Sequence, residues 1–366
     1  MHSTTRRLIG VSIAAAVASI LLIGAPSATA AGSARLAATS TDKATIGLFG
    51  EQDATYDGVY RQSLALIALD TADARVPAAS VRWLKRQQCP NGRFPSFRAD
   101  LDAPCGVGDS NATALATIAF KRLGEGSAAR DSVNWLLDQQ TRSGGWEYSS
   151  GRGPDSNSTG LVIQALIAMN IDPATVAKRR TGPEFLRTLQ LDCSSEAIDD
   201  RGALDYQSQT PLVANNYATS QATQALAGST LPVEPASADG ALPAFTCPPE
   251  GTRPAAAATA AGYLGRTISA NEGGIPGDFG PGTDLNSTAN AVLSLVAAGY
   301  GSEQITSAMG TLETNATLFT RDAGDAVRPA AAAALVLTAY ATAGDPRSVG
   351  GLNPVRDILQ SRTLAG

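Results

Sequence analysis

A short polar element recurs four times in the sequence, and its side chains are well suited to binding a ligand. Three copies read Asp-x-Asn-x-Thr over residues 109–113, 155–159 and 284–288, and a degenerate copy occupies residues 215–219. Carboxylates, amides and hydroxyls at this spacing can hydrogen-bond a polar ligand, and the carboxylates attract a cation. The candidate ligand-binding residues are Asp109, Asn111, Asp155, Asn157, Asn215, Tyr217, Asp284 and Asn286.

The same element also has a purely structural explanation. Asp and Asn are favoured N-cap residues because their side chains accept hydrogen bonds from the first amides of a helix. Each copy is followed by an apolar run, as expected for a helix buried on several sides. Repetition does not separate the two interpretations, since a repeat copies a cap as readily as a binding site.

Residue types exclude several other kinds of chemistry. The single histidine is His2, so the folded part holds neither a His-dependent triad nor a His-ligated metal. Glu147 and Glu272 lie beside glycine turns, but carboxylates there are ordinarily solvated and no recognisable nucleophile motif accompanies them. The sequence therefore predicts no catalytic residue, no metal and no cofactor.

The N-terminus has the features of a secretory signal. Arg6 and Arg7 precede an apolar run over residues 8–24, and residues 28–30 read Ala-Thr-Ala, which predicts a signal peptide 1–30 cut after Ala30. Cleavage leaves 26 basic and 33 acidic side chains, a net charge of −7 that disfavours nucleic acid and anionic membranes. We expect a secreted, extracellular monomer without a stable membrane anchor.

Four cysteines follow the predicted signal peptide: Cys89, Cys105, Cys193 and Cys247. An even number in an exported chain indicates disulfides, and three pairings are possible. We favour Cys89–Cys105 with Cys193–Cys247, because each pair then fastens one long loop. A thiolate metal site is the alternative, but the chain has no Cys-x-x-Cys spacing and no histidine to complete it.

The composition and a longer repeat indicate an all-α fold. The chain is 43% hydrophobic but only 5% aromatic, and alanine is abundant, which favours closely packed helices. Residues 83–94, 135–146 and 263–275 share an aromatic-Leu helix end, a glycine turn and a bulky apolar residue, whereas residues 185–190 keep the helix end without the turn. Inner helices are predicted near Val59, Ser110, Ser156, Asn216, Asn286 and Val327, and outer helices near Pro77, Ser127, Pro173 (broken near Pro183), Arg253, Glu303 and Pro354.

Six such hairpins with parallel inner helices are expected to close into one ring rather than an open solenoid. The predicted organisation is a signal peptide 1–30, a flexible lead 31–54 and a single ring-shaped domain 55–366. Residues 228–252, rich in Pro and Ala, are predicted to form a long loop that Cys247 ties down.

The repeat resembles a known motif. Gln140-x-x-x-Gly144-x-Trp146, with a matching copy at residues 88–94, resembles the QW repeat of squalene and terpene cyclases and of protein prenyltransferase β subunits. The layout is similar to their α/α toroid, which also forms the larger domain of cobalamin carriers. The resemblance covers residues 55–362 and implies a single-domain α/α toroid of about six hairpins.

The resemblance leaves several functions to compare. Prenyltransferases need a zinc-bound Cys where this chain has Asn111, Asn157 and Asn286, and no histidine completes that site. Class II cyclases need an Asp-x-Asp-Asp run, which neither residues 100–102 nor residues 199–200 match. Cobalamin carriers are secreted and disulfide-bonded, but hold cobalamin against a second domain.

We therefore expect a non-catalytic binding or cell-envelope interaction protein. Its partner is expected to be an unidentified small molecule or cell-envelope component, held in a cavity at the mouth formed by the N-termini of the inner helices. A terpene-cyclase-like enzyme and a cobalamin-carrier-like toroid are the alternatives, and a structural surface domain without a small ligand is a further one.

Overall fold

A computed structural model describes residues 45–247, 251–278 and 280–364. Six helices form an inner layer: α1 Gly58–Thr71, α3 Ser110–Arg122, α5 Ser156–Ala168, α7 Asn216–Leu226, α9 Leu285–Ala298 and α12 Pro329–Ala341. The outer layer consists of α2 Ala78–Gln87, α4 Gly126–Gln139, α6 Gly182–Thr188, α8 Arg253–Ala270, α10 Ser302–Thr314, the short α11 Ala316–Thr320 and α13 Pro354–Gln360. One antiparallel pair, β1 Trp146–Glu147 with β2 Pro154–Asp155, and a 3₁₀ turn Ile198–Asp200 complete the described elements.

The inner helices close into a ring. In ring order each packs on the next, from α1 through α3, α5, α7, α9 and α12, and α12 packs back on α1. Helix α12 is mostly alanine, and small side chains allow two neighbouring helices to approach closely. The α/α toroid of six hairpins predicted from the sequence is confirmed.

Each hairpin turn is shaped by a glycine that no other residue replaces without strain. Gly92 has φ +87°, and a Cβ added to it lies 2.0 Å from the carbonyl oxygen of Asp131 at the next outer helix. The preceding Gln88 amide donates to the Ala128 carbonyl (2.9 Å) and to Ser132 Oγ (2.8 Å). The Gln and Gly of the repeat therefore dock one outer helix against the next.

Two sequence predictions about residues 173–202 are wrong in detail. The turn after residues 185–190 is displaced rather than lost, because Gln190 Nε2 donates to the Gly202 carbonyl at 3.0 Å. An insertion that carries the 3₁₀ turn separates these two residues. The outer helix of the preceding hairpin begins at Gly182 rather than near Pro173, since the Thr181 hydroxyl caps it there.

The predicted flexible lead 31–54 requires a partial correction. The signal peptide 1–30 and residues 31–44 lie outside the described residues. Residues 45–54, however, are packed: Leu48 and Phe49 are buried, and Arg61 Nε donates to the Phe49 carbonyl at 3.1 Å. Buried apolar side chains and this hydrogen bond thus attach the segment to α1.

Both favoured disulfides are confirmed. Cys89 and Cys105 have their Cα atoms 6.0 Å apart, and those of Cys193 and Cys247 are 5.8 Å apart. The second bond ties down the long loop that joins α7 to α8, as predicted. Within the described ranges no helix has both the length and the apolar character needed to cross a membrane, and no cluster of three potential metal ligands occurs.

Candidate functional site

The recurring polar element caps the inner helices. Side-chain oxygens of Asp109, Asp155 and Asn215 accept hydrogen bonds from amides three residues later, at 2.9, 2.7 and 2.7 Å respectively. Asp284 Oδ1 accepts two amides at 2.8 and 3.1 Å. The structural explanation of the element therefore holds for all four copies.

The threonine of the element is also structural. Thr113 Oγ1 accepts the amide of Phe94 (3.0 Å), the bulky residue after the glycine turn, and donates to the carbonyl of the capping Asp109 (2.7 Å). The corresponding threonines of the other copies accept the amides of Trp146, Leu204 and Ile275. The repeated spacing exists because this hydroxyl joins each turn to the inner helix that follows it.

Each carboxylate oxygen of Asp109 and Asp155 already accepts a hydrogen bond from this chain. The second oxygen of Asp109 accepts from Ser96 Oγ at 3.0 Å, and that of Asp155 from Ser158 Oγ at 2.8 Å. Burial raises the pKa of both carboxyls, and the hydrogen bonds lower it by a smaller amount. The pKa of Asp155 is thereby raised from 3.8 to about 6. Both side chains therefore act as helix caps.

A cavity of about 370 Å³ lies at the mouth formed by the N-termini of the inner helices. Three of the eight predicted residues line it: Tyr217, Asp284 and Asn286. Helices α1, α7, α9 and α12 supply the remaining lining residues Tyr60, Leu64, Gln221, Asn290, Ala330 and Ala334. The predicted position of the cavity is matched, whereas Asp109, Asn111, Asp155, Asn157 and Asn215 are not among its lining residues.

Asn157 is hydrogen-bonded to a residue that lines the cavity. Its Nδ2 donates to Gln221 Oε1 at 2.9 Å, and Gln221 Nε2 in turn donates to the Tyr217 hydroxyl at 3.0 Å. This chain of amides orients Tyr217, which lies on the cavity wall. Two of the predicted amides, Asn111 and Asn157, each keep a buried side-chain oxygen that accepts no hydrogen bond from the described part of the chain.

Two tyrosines from opposite inner helices meet across the ring. Tyr60 lies on α1 and Tyr217 on α7, which are three places apart in the ring of six. Burial is the main reason why the pKa of each phenol is raised. Electrostatic repulsion from Tyr217 raises the pKa of Tyr60 further. Both phenols therefore stay neutral where they line the cavity.

Sequence reasoning missed Tyr60, Gln221 and Asn290. Asn290 lies one helical turn after Asn286, a spacing that places both amides on one face of α9. Tyr60 is the third residue of α1 and Tyr217 the second of α7, so both lie in a first turn. A comparison of first-turn residues across all six inner helices is the signal that would have found Tyr60.

Asp284 sets the electrostatics of the cavity. Its Oδ1 caps α9, whereas its Oδ2 accepts no hydrogen bond from any group in the described ranges. No lysine or arginine lines the cavity. The arrangement favours a ligand that carries positive charge and hydrogen-bond donors.

The residues considered for cyclase chemistry lie elsewhere. Asp100 and Asp102 are exposed in a loop, and Asp199 is exposed in the 3₁₀ turn. None of them lines the mouth cavity.

Solved structures share this fold. One is ent-copalyl diphosphate synthase from Streptomyces platensis, with 19% identity, a TM-score of 0.50 and coverage of 78% of this chain; this chain spans 50% of that one. An alpha-amylase from Clostridium perfringens shows 10% identity and a TM-score of 0.50, and the match covers 77% of this chain and 86% of that one. The type II terpene cyclase MstE from Scytonema shows 13% identity and a TM-score of 0.46, and the match covers 80% of this chain and 79% of that one.

The match to ent-copalyl diphosphate synthase shows that the chain has the α/α-toroid fold found in terpenoid cyclases, and it does not extend to activity. No protein-family model matches the sequence, and no curated protein matches it significantly.

Proposed function

We propose that this chain is an exported, non-catalytic binding protein that holds a small organic cation in the mouth cavity. One observation carries the proposal: a cavity of about 370 Å³ has the carboxylate of Asp284, two tyrosines and the amides of Asn286 and Asn290 on its walls, with no basic side chain. The volume falls within the range of small-molecule sites, about 300–1,000 Å³.

A cation suits these walls for two physical reasons. The faces of Tyr60 and Tyr217 attract positive charge through their ring quadrupoles, by about 0.5–2 kcal/mol per contact. The carboxylate of Asp284, whose Oδ2 accepts no hydrogen bond from the described residues, supplies negative charge at the same cavity. Leu64, Ala330 and Ala334 add apolar wall for methyl or methylene groups.

The environment of the aspartates supports binding rather than catalysis. Asp155 has a pKa of about 6, in the range of a general acid, but both of its oxygens accept hydrogen bonds from Ser158. A terpene-cyclase-like enzyme is the alternative that the fold favours, and it requires an acid inside an aromatic cavity. A cobalamin-carrier-like role receives no support from a cavity of this size, because a corrin ring is much larger.

Export is part of the proposal. Two disulfides are typical of an oxidising compartment. The predicted signal peptide 1–30 would deliver the chain to such a compartment, where its partner is a small molecule or a component of the cell envelope.

The test compares two probes of the same shape. Choline and its uncharged isostere 3,3-dimethylbutan-1-ol are titrated against the secreted protein by isothermal calorimetry. We expect choline to bind at least about tenfold more tightly, a difference of about 1.4 kcal/mol that reflects the charge alone. Equal affinities, or no binding of either probe, overturn the proposal.

Asp284→Asn provides the matching variant, because asparagine keeps the capping oxygen and removes the charge. It is expected to lower the affinity for choline about tenfold while the helical circular dichroism is unchanged. Asp322→Asn removes a carboxylate outside the cavity and is the control, with unchanged binding. Loss of choline binding in both variants means that the effect is one of net charge rather than of the site.

A further inference from the structure

We propose that the opposite end of the ring holds a second ligand site, which takes an amphiphilic organic cation with an apolar body. A cavity of about 800 Å³ lies there, between α10, the C-terminal end of α12 and residues 235–239. It is separate from the mouth cavity, since it lies where the inner helices end rather than where they begin.

The floor of this cavity is apolar and the side chains around it are small. Val296, Ile305, Ala339, Ala341 and Val349 contribute to the lining and are all buried. Removal of an apolar ligand from water against such a floor is favourable, by about 25 cal/mol per Å². The floor therefore favours contact with the hydrocarbon part of a ligand.

Open space remains beside α10. Gly310 is an exposed lining residue, and a Cβ added to it meets nothing within 4 Å. Thr306 lies one helical turn earlier on the same helix and also lines the cavity. Larger side chains at these two positions would project toward the space that the ligand is proposed to occupy.

The segment that covers one side of the cavity is held at both ends. Before it, the Glu234 carboxylate accepts a hydrogen bond from the Tyr340 hydroxyl at 2.8 Å. At its far end the Ala238 carbonyl accepts the Ser302 amide at 3.1 Å, and the Gly240 amide donates to the Gly299 carbonyl at 3.2 Å. The wall is thus preformed, so that binding does not have to order it.

The charged side chains that line the cavity are all acidic. Asp239, Glu313 and Asp345 are exposed lining residues, and no lysine, arginine or histidine lines the cavity. Helix α12 also ends beside this cavity. The partial negative charge of a helix C-terminus favours a cation there. An apolar floor beneath an acidic rim matches a molecule with a hydrocarbon body and one positive head.

The experiment uses two probes with the same tail and opposite charge. Octyltrimethylammonium and octyl sulfate are titrated calorimetrically, below their micellar concentrations, against the full mature chain with its disulfides intact. We expect the cation to bind at least about tenfold more tightly than the anion. Equal affinities for both probes, or no binding of the cation, overturn the proposal.

Variants locate the site. Gly310→Leu is expected to abolish octyltrimethylammonium binding and to leave choline binding at the mouth unchanged. Thr314→Leu, at an exposed residue of α10 that does not line the cavity, is expected to leave both unchanged. Thr306→Leu blocks the same space and replaces Gly310→Leu if that variant does not fold. Glu313→Gln is expected to reduce the preference for the cation. If Gly310→Leu and Thr306→Leu both bind octyltrimethylammonium as tightly as wild type, the proposed position of the second site is refuted.

Discussion

Replacing Asp155 with asparagine tests the electrostatic account of the inner-helix caps. The side chain is 1% exposed, and burial raises its pKa from 3.8 to about 6 although Ser158 donates to both oxygens. A folded-state pKa above the unfolded value means that the folded protein binds the proton more tightly. Stability from this group is complete below pH 3.8 and is lost as the pH rises through about 6.

The interval between these two pKa values corresponds to about 3 kcal/mol of unfolding free energy. Asp155→Asn keeps the capping oxygen, and asparagine is an equally good N-cap, so the variant retains the helix start without the titration. The difference in unfolding free energy, variant minus wild type, is expected to increase by about 3 kcal/mol between about pH 3.5 and pH 7.5.

Guanidinium unfolding at a series of pH values, with the disulfides intact, measures this difference. Asp322→Asn is an opposite-sign control, because hydrogen bonds from Gln52 and from two backbone amides hold the pKa of Asp322 below its usual range. Its stability relative to wild type should therefore decrease, not increase, as the pH rises. A pH-independent difference for Asp155→Asn refutes the argument that burial raises the pKa of this carboxyl.

Three further predictions concern the repeat and the disulfides. Gly92→Ala forces a Cβ against a backbone carbonyl and should lower the unfolding free energy well beyond the 1–2 kcal/mol expected from left-handed backbone strain alone. Gly124→Ala, where φ is also positive but the space is open, should lose only that smaller amount. Thr113→Val leaves a buried amide without an acceptor and should lose about 1–3 kcal/mol. Replacing Cys193 and Cys247 with serine should lose about 4 kcal/mol, against about 3 kcal/mol for the other disulfide, because loops of 54 and 16 residues differ in closure entropy.

Denaturant unfolding at neutral pH measures all three. Equal losses for the two glycine variants contradict the close packing of the turn against the next hairpin. An unchanged midpoint for Thr113→Val contradicts the role assigned to the threonine. A larger loss for the shorter disulfide loop means that native contacts, rather than loop entropy, determine the contribution of these bonds.

The sequence alone was sufficient for the inner helices, for the caps of four of them and for favouring the correct one of three disulfide pairings. These features depend on local physical chemistry, because an Asp or Asn before an apolar run satisfies orphan amides wherever that run folds. The inner helices begin within two residues of their predicted starts. The local pattern failed where an insertion separated Gln190 from Gly202, since a repeat is recognised only while its spacing is kept.

Only the tertiary structure decided which polar side chains face a cavity. Asp155 and Asp284 carry the same motif, but α5 buries the first while α9 leaves one oxygen of the second unpaired beside the cavity. Tyr60 and Tyr217 meet because ring closure places α1 opposite α7, and no short-range pattern contains that relation. A helical period indicates the face that a helix buries, but the neighbours it acquires depend on how the whole ring closes.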